Sequence, residues 1–281
     1  MVRKASVAVA AAAALLLVIF ITPAVAEWHG GKALVLYSEC SYWPPSDGWV
    51  QHNYKESDTW EKFRNEFAEQ GWTVEFAKHV NASLLSNYDA LFVLTPVENI
   101  PDDEAQAIID WVKSGGQLVI TQNGTYPYAN EITAEFGIEF DDLPVPMPML
   151  INKFADHPVT TTPHRLSEVD GATARKIKVS GSSREIGWCE MIIDGSTFEY
   201  CLLAVNDSAG DGVVVAIGDE WMWSYKWPLY RFDQADNEEL LDNILAYFWQ
   251  TCSVPEYPTP LLPSLLTLGA VFLLLRRKTH P

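Results

Sequence analysis

Apolar residues fall along this chain in short continuous runs, separated by stretches of helical periodicity. KALVLYS (32–38) is such a run, β-branched and aromatic, and it predicts a buried first strand. A polar and aromatic loop from Glu39 to Glu56 follows, with Trp43, Pro44, Pro45 and Trp49, long for a strand-to-helix connection. Asp58 with Glu61 three residues on predicts a capping box for a helix ending near Gln70-Gly71. Strands are predicted over Trp72 to Ala77 and Asp89 to Leu94, with a short polar segment from Asn81 to Tyr88 between them. Asn99-Ile100-Pro101 opens the next helix, whose Ala105, Ile108, Ile109 and Val112 recur on one face. Gly115 supplies the left-handed residue that stops it. In GGQLVITQNGT (115–125) a strand over Gln117 to Thr121 then runs into a tight Asn-Gly turn.

The second half changes character. Glu131 to Phe136 predicts a short helix that Gly137 ends. Asp141 to Pro148, rich in proline and acid, reads as a connection, and HPVTTTPH (157–164) as a loop. Ala174 to Val179, Glu185 to Ile193 and Phe198 to Val205 read as strands with hairpin signals. GVVVAI (212–217) is a continuous apolar strand suited to a sheet centre, ended by Gly218-Asp219-Glu220. An aromatic loop follows with Trp221, Trp223, Tyr225, Trp227, Tyr230 and Phe232. Asn237 to Trp249 predicts the last helix, with Leu240, Leu241, Ile244, Leu245 and Phe248 on one stripe. The alternation predicts an α/β fold: a flavodoxin-like three-layer sandwich with a mainly parallel central sheet and an added β-hairpin.

The two ends point to a compartment. Arg3 and Lys4 precede an apolar run from Ala5 to Ile21, and Ala24-Val25-Ala26 offers a small-x-small cleavage site. Residues 1–26 therefore read as a signal peptide, or as an uncleaved anchor, before a domain over 27–252. Residues 253–260 form a proline-rich linker, 261–275 an apolar helix taken as membrane-spanning, and 276–281 a basic tail left on the cytoplasmic side. The tail resembles the PEF-CTERM sorting signal of archaeal surface proteins. Pro255, Glu256, Tyr257, Pro258 and Thr259 carry the likeness, with Tyr257 where Phe is usual. That likeness implies processing by an archaeosortase-type enzyme; the alternative is a plain C-terminal membrane anchor. Either places the domain outside the cell.

Composition narrows the partners. The net charge is −18 over 281 residues, and the basic residues of both ends lie outside the predicted domain. So acidic a body repels phosphate backbones, which argues against nucleic acid as a partner. Four cysteines, Cys40, Cys189, Cys201 and Cys252, allow three pairings. If Ile193 faces Thr197 across the turn at Asp194-Gly195-Ser196, Cys189 faces Cys201 and a cross-strand disulfide is expected. Sequons at Asn81, Asn123 and Asn206 are candidate glycosylation sites.

ALVLYS, the helix followed by GGQLVIT, DHPVT, and GVVVAIGD followed by DNEELLDNILAYF occur together. In that combination the chain resembles the class I glutamine amidotransferase-like superfamily, in its non-catalytic branch of secreted or tethered prokaryotic proteins. The resemblance spans about residues 31–250. It implies a nucleophilic Cys near position 122 and a His and Glu after the strand ending at Ile217. This chain has Gln122 and Asn123 at the first place and Gly218, Asp219 and Glu220 at the second, with no His. Nucleophilic catalysis needs a nucleophile and a base in reach, and that pattern lacks both.

The carboxyl edge of the sheet should gather Glu39, Cys40, Thr95, Glu98, Gln122, Asn123, Asp219 and Glu220. Oxygen ligands there would suit a hard cation, but no EF-hand spacing supports one, and helix capping and turn bonds account for the same residues. His157 and His164 lack a third ligand nearby, so no metal site and no cofactor is expected. A free Cys40 with His52 as base would be a displaced nucleophile. Trp43, Trp49, Trp221 and Trp223, with Trp227, sit on loops beside carboxylates, as stacking groups do in sugar clefts, or they cover the sheet as core. Gln122 and Asn123 complete that ligand-binding set. The expectation is a surface-anchored binding or structural domain whose ligand is an envelope glycan or protein. The alternative is a secreted hydrolase of envelope glycans using Glu39, Asp219 and Glu220 as acid and base.

Overall fold

The computed structural model describes residues 30–38, 49–50, 52–123, 127–145, 149–224 and 231–252. The predicted signal peptide, sorting motif (Pro255, Glu256, Tyr257, Pro258), membrane helix and basic tail lie outside these residues, as do Glu39, Cys40, Trp43 and Trp227. No helix among the described residues is long and apolar enough to cross a membrane.

The first half alternates strand and helix. It runs β1 (Lys32–Leu36), α1 (Glu61–Glu69), β2 (Thr73–Ala77), α2 (Ala82–Leu85), β3 (Ala90–Leu94), α3 (Asp102–Lys113) and β4 (Gln117–Thr121). A single helical turn, α4 (Asn130–Thr133), follows. Then come β5 (Ile138–Pro144), β6 (Met149–Ile151), β7 (Lys153–Phe154), α5 (Pro158–Thr161), β8 (Val169–Gly171) and β9 (Arg175–Val179). The long hairpin β10 (Arg184–Ile193) and β11 (Ser196–Ala209), the central strand β12 (Gly212–Ile217) and the closing helix α6 (Asn237–Cys252) complete the chain.

Eight strands form one sheet in the order β2-β1-β3-β4-β12-β11-β10-β7. The first five are parallel; β11, β10 and β7 join antiparallel. A large, mainly parallel sheet with flanking helices is the flavodoxin-like arrangement. Every residue of β3, β4 and β12 is buried, which is why they read as unbroken apolar runs. Helix α6 packs against both α1 and α5, and α3 against both α2 and α4, giving two helical groups about the sheet. Phe63 and Phe67 of α1 meet Phe92 of β3 at ring distances of 6.1 and 5.0 Å, and this aromatic contact anchors the first layer.

Four expectations are corrected. The first helix is capped by Ser57, whose hydroxyl accepts from the Thr59 N–H at 3.3 Å, one residue before the predicted Asp58. Residues 138–144 form a strand paired with β9, although much of that stretch reads as a connection. His157 caps a helical turn where a loop was expected, accepting at Nδ1 from the Val159 N–H at 3.2 Å. The fourth concerns the disulfide. The hairpin closes through the two residues Asp194 and Gly195, both at positive φ (50° and 79°), so Ile193 faces Ser196. That register sets Cys189 opposite Tyr200 and Cys201 opposite Trp188. A one-residue slip moves a side chain to the other face of a sheet. Cys189 and Cys201 accordingly point to opposite faces and are free thiols.

Candidate functional site

The strand order reverses between β1 and β3, and in sheets of this kind ligands bind at the carboxyl ends of the strands by such a point. Thr95 follows β3, Thr121 and Gln122 close β4, and Asp219 and Glu220 follow β12. All five are buried.

Thr95 leaves β3 with φ at 47°, a left-handed conformation that β-branched residues rarely adopt. The turn aims its hydroxyl across the rim, where it donates to the Glu220 carboxylate. Its N–H donates to the Thr121 hydroxyl oxygen at 3.0 Å. The other Glu220 oxygen, Oε1, lies 3.6 Å from His52 Nε2, and both atoms are buried without a hydrogen-bond partner. His52 comes from the long loop after β1. That loop is pinned by a bridge between Val50 and Pro96 and by a Val97 N–H bond to the Trp49 carbonyl at 2.9 Å. Tyr54, two residues on, donates its hydroxyl to the Leu94 carbonyl at 3.2 Å. Burial pushes the Tyr54 pKa well up, and the charges of Glu220 and Asp219 push it further.

Asp219 faces the other way. Its carboxylate accepts from the N–H groups of Ala172, Thr173 (3.0 Å) and Trp221 (3.0 Å) and from the Asn123 amide (3.3 Å). Burial, and then the neighbouring Glu220, raise its pKa to about 7 against the pull of the N–H donors. Gly171 lets β8 pass against this carboxylate, since a Cβ there would sit 2.9 Å from Oδ2.

The sequence-predicted set thus divides. Thr95, Gln122, Asn123, Asp219 and Glu220 do gather at one rim. Gln122, where the resemblance leads to the expectation of a Cys, donates to the Pro96 carbonyl at 3.2 Å and accepts from the Ala129 N–H at 2.9 Å. It ties two loops to the end of β4. Asn123 is held by Asp219, and its carbonyl accepts from Arg175 Nε at 2.9 Å. Glu98 is exposed. Asp219 is 2% and Glu220 0% exposed, so neither faces an open cleft as an acid or base of glycan hydrolysis would. A cavity beside Asp219, bounded by Ile151, Val169, Leu202, Ile217 and Met222, holds about 10 Å³, too little for a substrate.

The tryptophans divide too. Trp49 is buried and donates its indole N–H to Glu104 at 3.0 Å; His79 Nδ1 lies 2.8 Å from the same carboxylate. Trp223 is fully buried, stacks on Phe63 at 5.4 Å, and donates to the Asn237 carbonyl at 3.2 Å. Both serve the core. Trp221 is half-buried and lies on His52 and Trp60, at ring distances of 4.7 and 5.7 Å. Of the sequons, Asn123 and Asn206 are buried and their amides donate inward, Asn206 to the Phe136 carbonyl at 2.7 Å. A glycan on either is incompatible with this packing. Asn81 is exposed and caps α2. His157 and His164 pair with different carboxylates, Asp207 and Asp242, and no cluster of three metal-ligating side chains occurs among the described residues.

The sequence offers His52 only as a base for Cys40, and no motif in it singles out Tyr54 or Trp60. The spacing His52-x-Tyr54 ahead of a helix that opens on Trp60 was the available signal; nothing in it pointed to Glu220.

No family model matches the chain, and no curated protein matches it in sequence. Solved structures do. The mmIFT52 N-terminal domain superposes with a TM-score of 0.59 at 15% identity, over 77% of this chain and 97% of that one. A cytoplasmic protein from Salmonella typhimurium gives 0.54 at 14% identity, over 77% and 98%. A putative ThuA-like protein from Bacteroides uniformis gives 0.49 at 14% identity, over 77% and 90%. At such identities the likeness shows the fold alone: the described domain is a mixed α/β sandwich built on a large, mainly parallel sheet.

Proposed function

We propose that residues 27–252 form a binding domain of amidotransferase-like descent that has given up nucleophilic catalysis and is displayed on the cell surface. Its ligand is a component of the envelope, a glycan or a protein. One observation carries this reading: the polar groups at the rim are spent on structure. Gln122 stands where a nucleophile is expected and bridges two loops. Asp219 is saturated by N–H donors, and Glu220 is held at one oxygen by Thr95 and covered at the other by His52.

The path of the chain is compatible with display. Gly30, entering β1, and Cys252, whose sulfur accepts from the Gln117 amide at the start of β4, both lie at the amino edge of the sheet. Tethering through those two ends would turn the rim away from a membrane. Cutting by an archaeosortase-type enzyme at Pro255-Glu256-Tyr257-Pro258 would leave that orientation unchanged.

The test is to present residues 27–254 to a glycan array and to solubilised envelope proteins, with Trp221→Ala beside the parent chain. Trp221 is the appropriate choice because it is half-buried, whereas truncating Trp223 would open the core. Binding that the substitution abolishes supports the reading. Turnover of an envelope glycan that Glu220→Gln abolishes favours the hydrolase instead.

A further inference from the structure

The aromatic residues around His52 form a box. Its imidazole centroid lies 4.7 Å from Trp221, 5.5 Å from Trp60 and 5.7 Å from Tyr54. The three aromatic rings also touch: Tyr54 to Trp60 at 4.7 Å and Trp60 to Trp221 at 5.7 Å. A cation within about 6 Å of a ring centroid is attracted by the ring's quadrupole, and more strongly where water is excluded. Tyr54 and Trp60 are 0% and 1% exposed, so water is largely excluded here.

A counter-charge faces the same space. Glu220 is fully buried, and its Oε1 has no hydrogen-bond donor although it points at His52. A buried carboxylate oxygen without a donor is costly, and a structural role alone would be met better by a closer contact. His52 fills the box imperfectly: its Nε2 stops at 3.6 Å and is itself unpartnered. The His52 side chain is 13% exposed, so rotation about its own bonds can carry it outward while Trp49, Val50 and Tyr54 stay pinned.

We infer that this box is a recognition site for an alkylammonium cation, with the His52 imidazole holding the place of the ligand. The cation would replace the ring between Trp60, Trp221 and Tyr54 and sit against Glu220 Oε1. The inference rests on the reading of the domain as a binding module and gives that module a ligand chemistry. The same chemistry is carried by a small free amine and by a lysine side chain of an envelope protein.

Titration calorimetry on the full chain tests this. Choline represents the free cation, Nα-acetyl-lysine amide the side chain, and 3,3-dimethyl-1-butanol the neutral isostere of choline, all at constant ionic strength. The expected result is that an ammonium probe binds the parent chain and quenches tryptophan fluorescence, while the neutral isostere does neither. Whichever ammonium binds tighter names the source. His52→Ala removes the internal competitor and should tighten binding roughly tenfold. Glu220→Gln should abolish binding, and so should Trp221→Ala, which leaves the buried core intact if Glu220→Gln fails to fold. Equal binding of the neutral isostere, or no binding of either ammonium to the parent chain, overturns the inference. Envelope binding that survives in either case leaves the binding-domain reading standing and removes only the ammonium chemistry.

Discussion

Thr95 and Glu220 are 125 residues apart, yet the Thr95 hydroxyl donates to the Glu220 carboxylate at the carboxyl edge of the sheet. The bond joins the end of β3 to the end of β12 across β4, and it holds Thr95 in an unfavourable backbone conformation. A residue kept in such a region costs about 1–3 kcal/mol and persists only where its surroundings fix it. Here they do so by giving a buried carboxylate a donor.

Removing that donor should be costly. Thr95→Val keeps the shape of the side chain and takes from Glu220 Oε2 the hydroxyl that donates to it. The expected loss is about 1–3 kcal/mol in urea denaturation, the penalty of an unsatisfied buried group. Thr95→Ser keeps the hydroxyl and should restore most of it. Equal stability of all three chains would mean that the Thr95 bond carries no weight.

A second carboxylate pair sets the pH dependence. Glu66 of α1 and Asp242 of α6 are bridged by Gln70, whose amide donates to each at 2.9 Å. Burial and the nearby Asp242 raise the Glu66 pKa from 4.5 to about 8. A raised pKa in the folded chain means stability that is complete below the unfolded value and is lost as the pH climbs through the folded one. Asp219, raised to about 7, acts in the same direction. The melting temperature should therefore fall between about pH 5 and about pH 8, and Glu66→Gln should flatten part of that slope. A melting temperature that rises over this window contradicts the assignment.

Asp207 works the opposite limb. Partial burial would raise its pKa, but hydrogen bonds from His157, Tyr247 (2.7 Å) and Arg184 outweigh burial and hold the carboxyl well below the usual range. Asp207→Asn should lower stability by about 1.5–3 kcal/mol near neutral pH, the range for bonds to a charged group. The gap to the parent chain should close as the pH falls below the ordinary carboxylate range.

The hairpin register makes a chemical prediction. With Cys189 facing Tyr200 and Cys201 facing Trp188, peptide mapping without reductant should find no link between the two cysteines. Burial pushes the Cys201 thiol pKa far up, so it should alkylate only after unfolding. A Cys189–Cys201 cross-link would mean that the strands pair one residue out of the register described.

Much of the fold was legible because its centre is buried on both faces. Gln117–Thr121 and Gly212–Ile217 announce themselves as continuous apolar runs, and Gly115 and Gly137 mark helix ends through positive φ. β5 was hidden because its alternation of buried Ile138 and Phe140 is short and then runs into Asp141, Asp142 and Pro144. A turn one residue wider than Asp194-Gly195 would set Cys189 and Cys201 face to face, and composition does not distinguish the two widths. At the rim, the ends of the strands could be placed from the order of elements, so Thr95, Gln122, Asn123, Asp219 and Glu220 were found together. His52 beside Glu220 was not legible, because the Val50–Pro96 bridge and the Tyr54 hydroxyl decide where that loop lies. Neither contact leaves a periodic trace in the sequence.

The central claim is that the rim retains its shape while its polar groups hold structure and attack nothing. The most direct measurement is peptide mapping by mass spectrometry after the native chain has met an acylating probe, with His52→Ala alongside. The account predicts no acyl group on Thr95 in either chain before unfolding, and none on Cys40 that His52→Ala removes. An adduct on one of them in the parent chain, lost in His52→Ala, would show a working nucleophile and base and would contradict it.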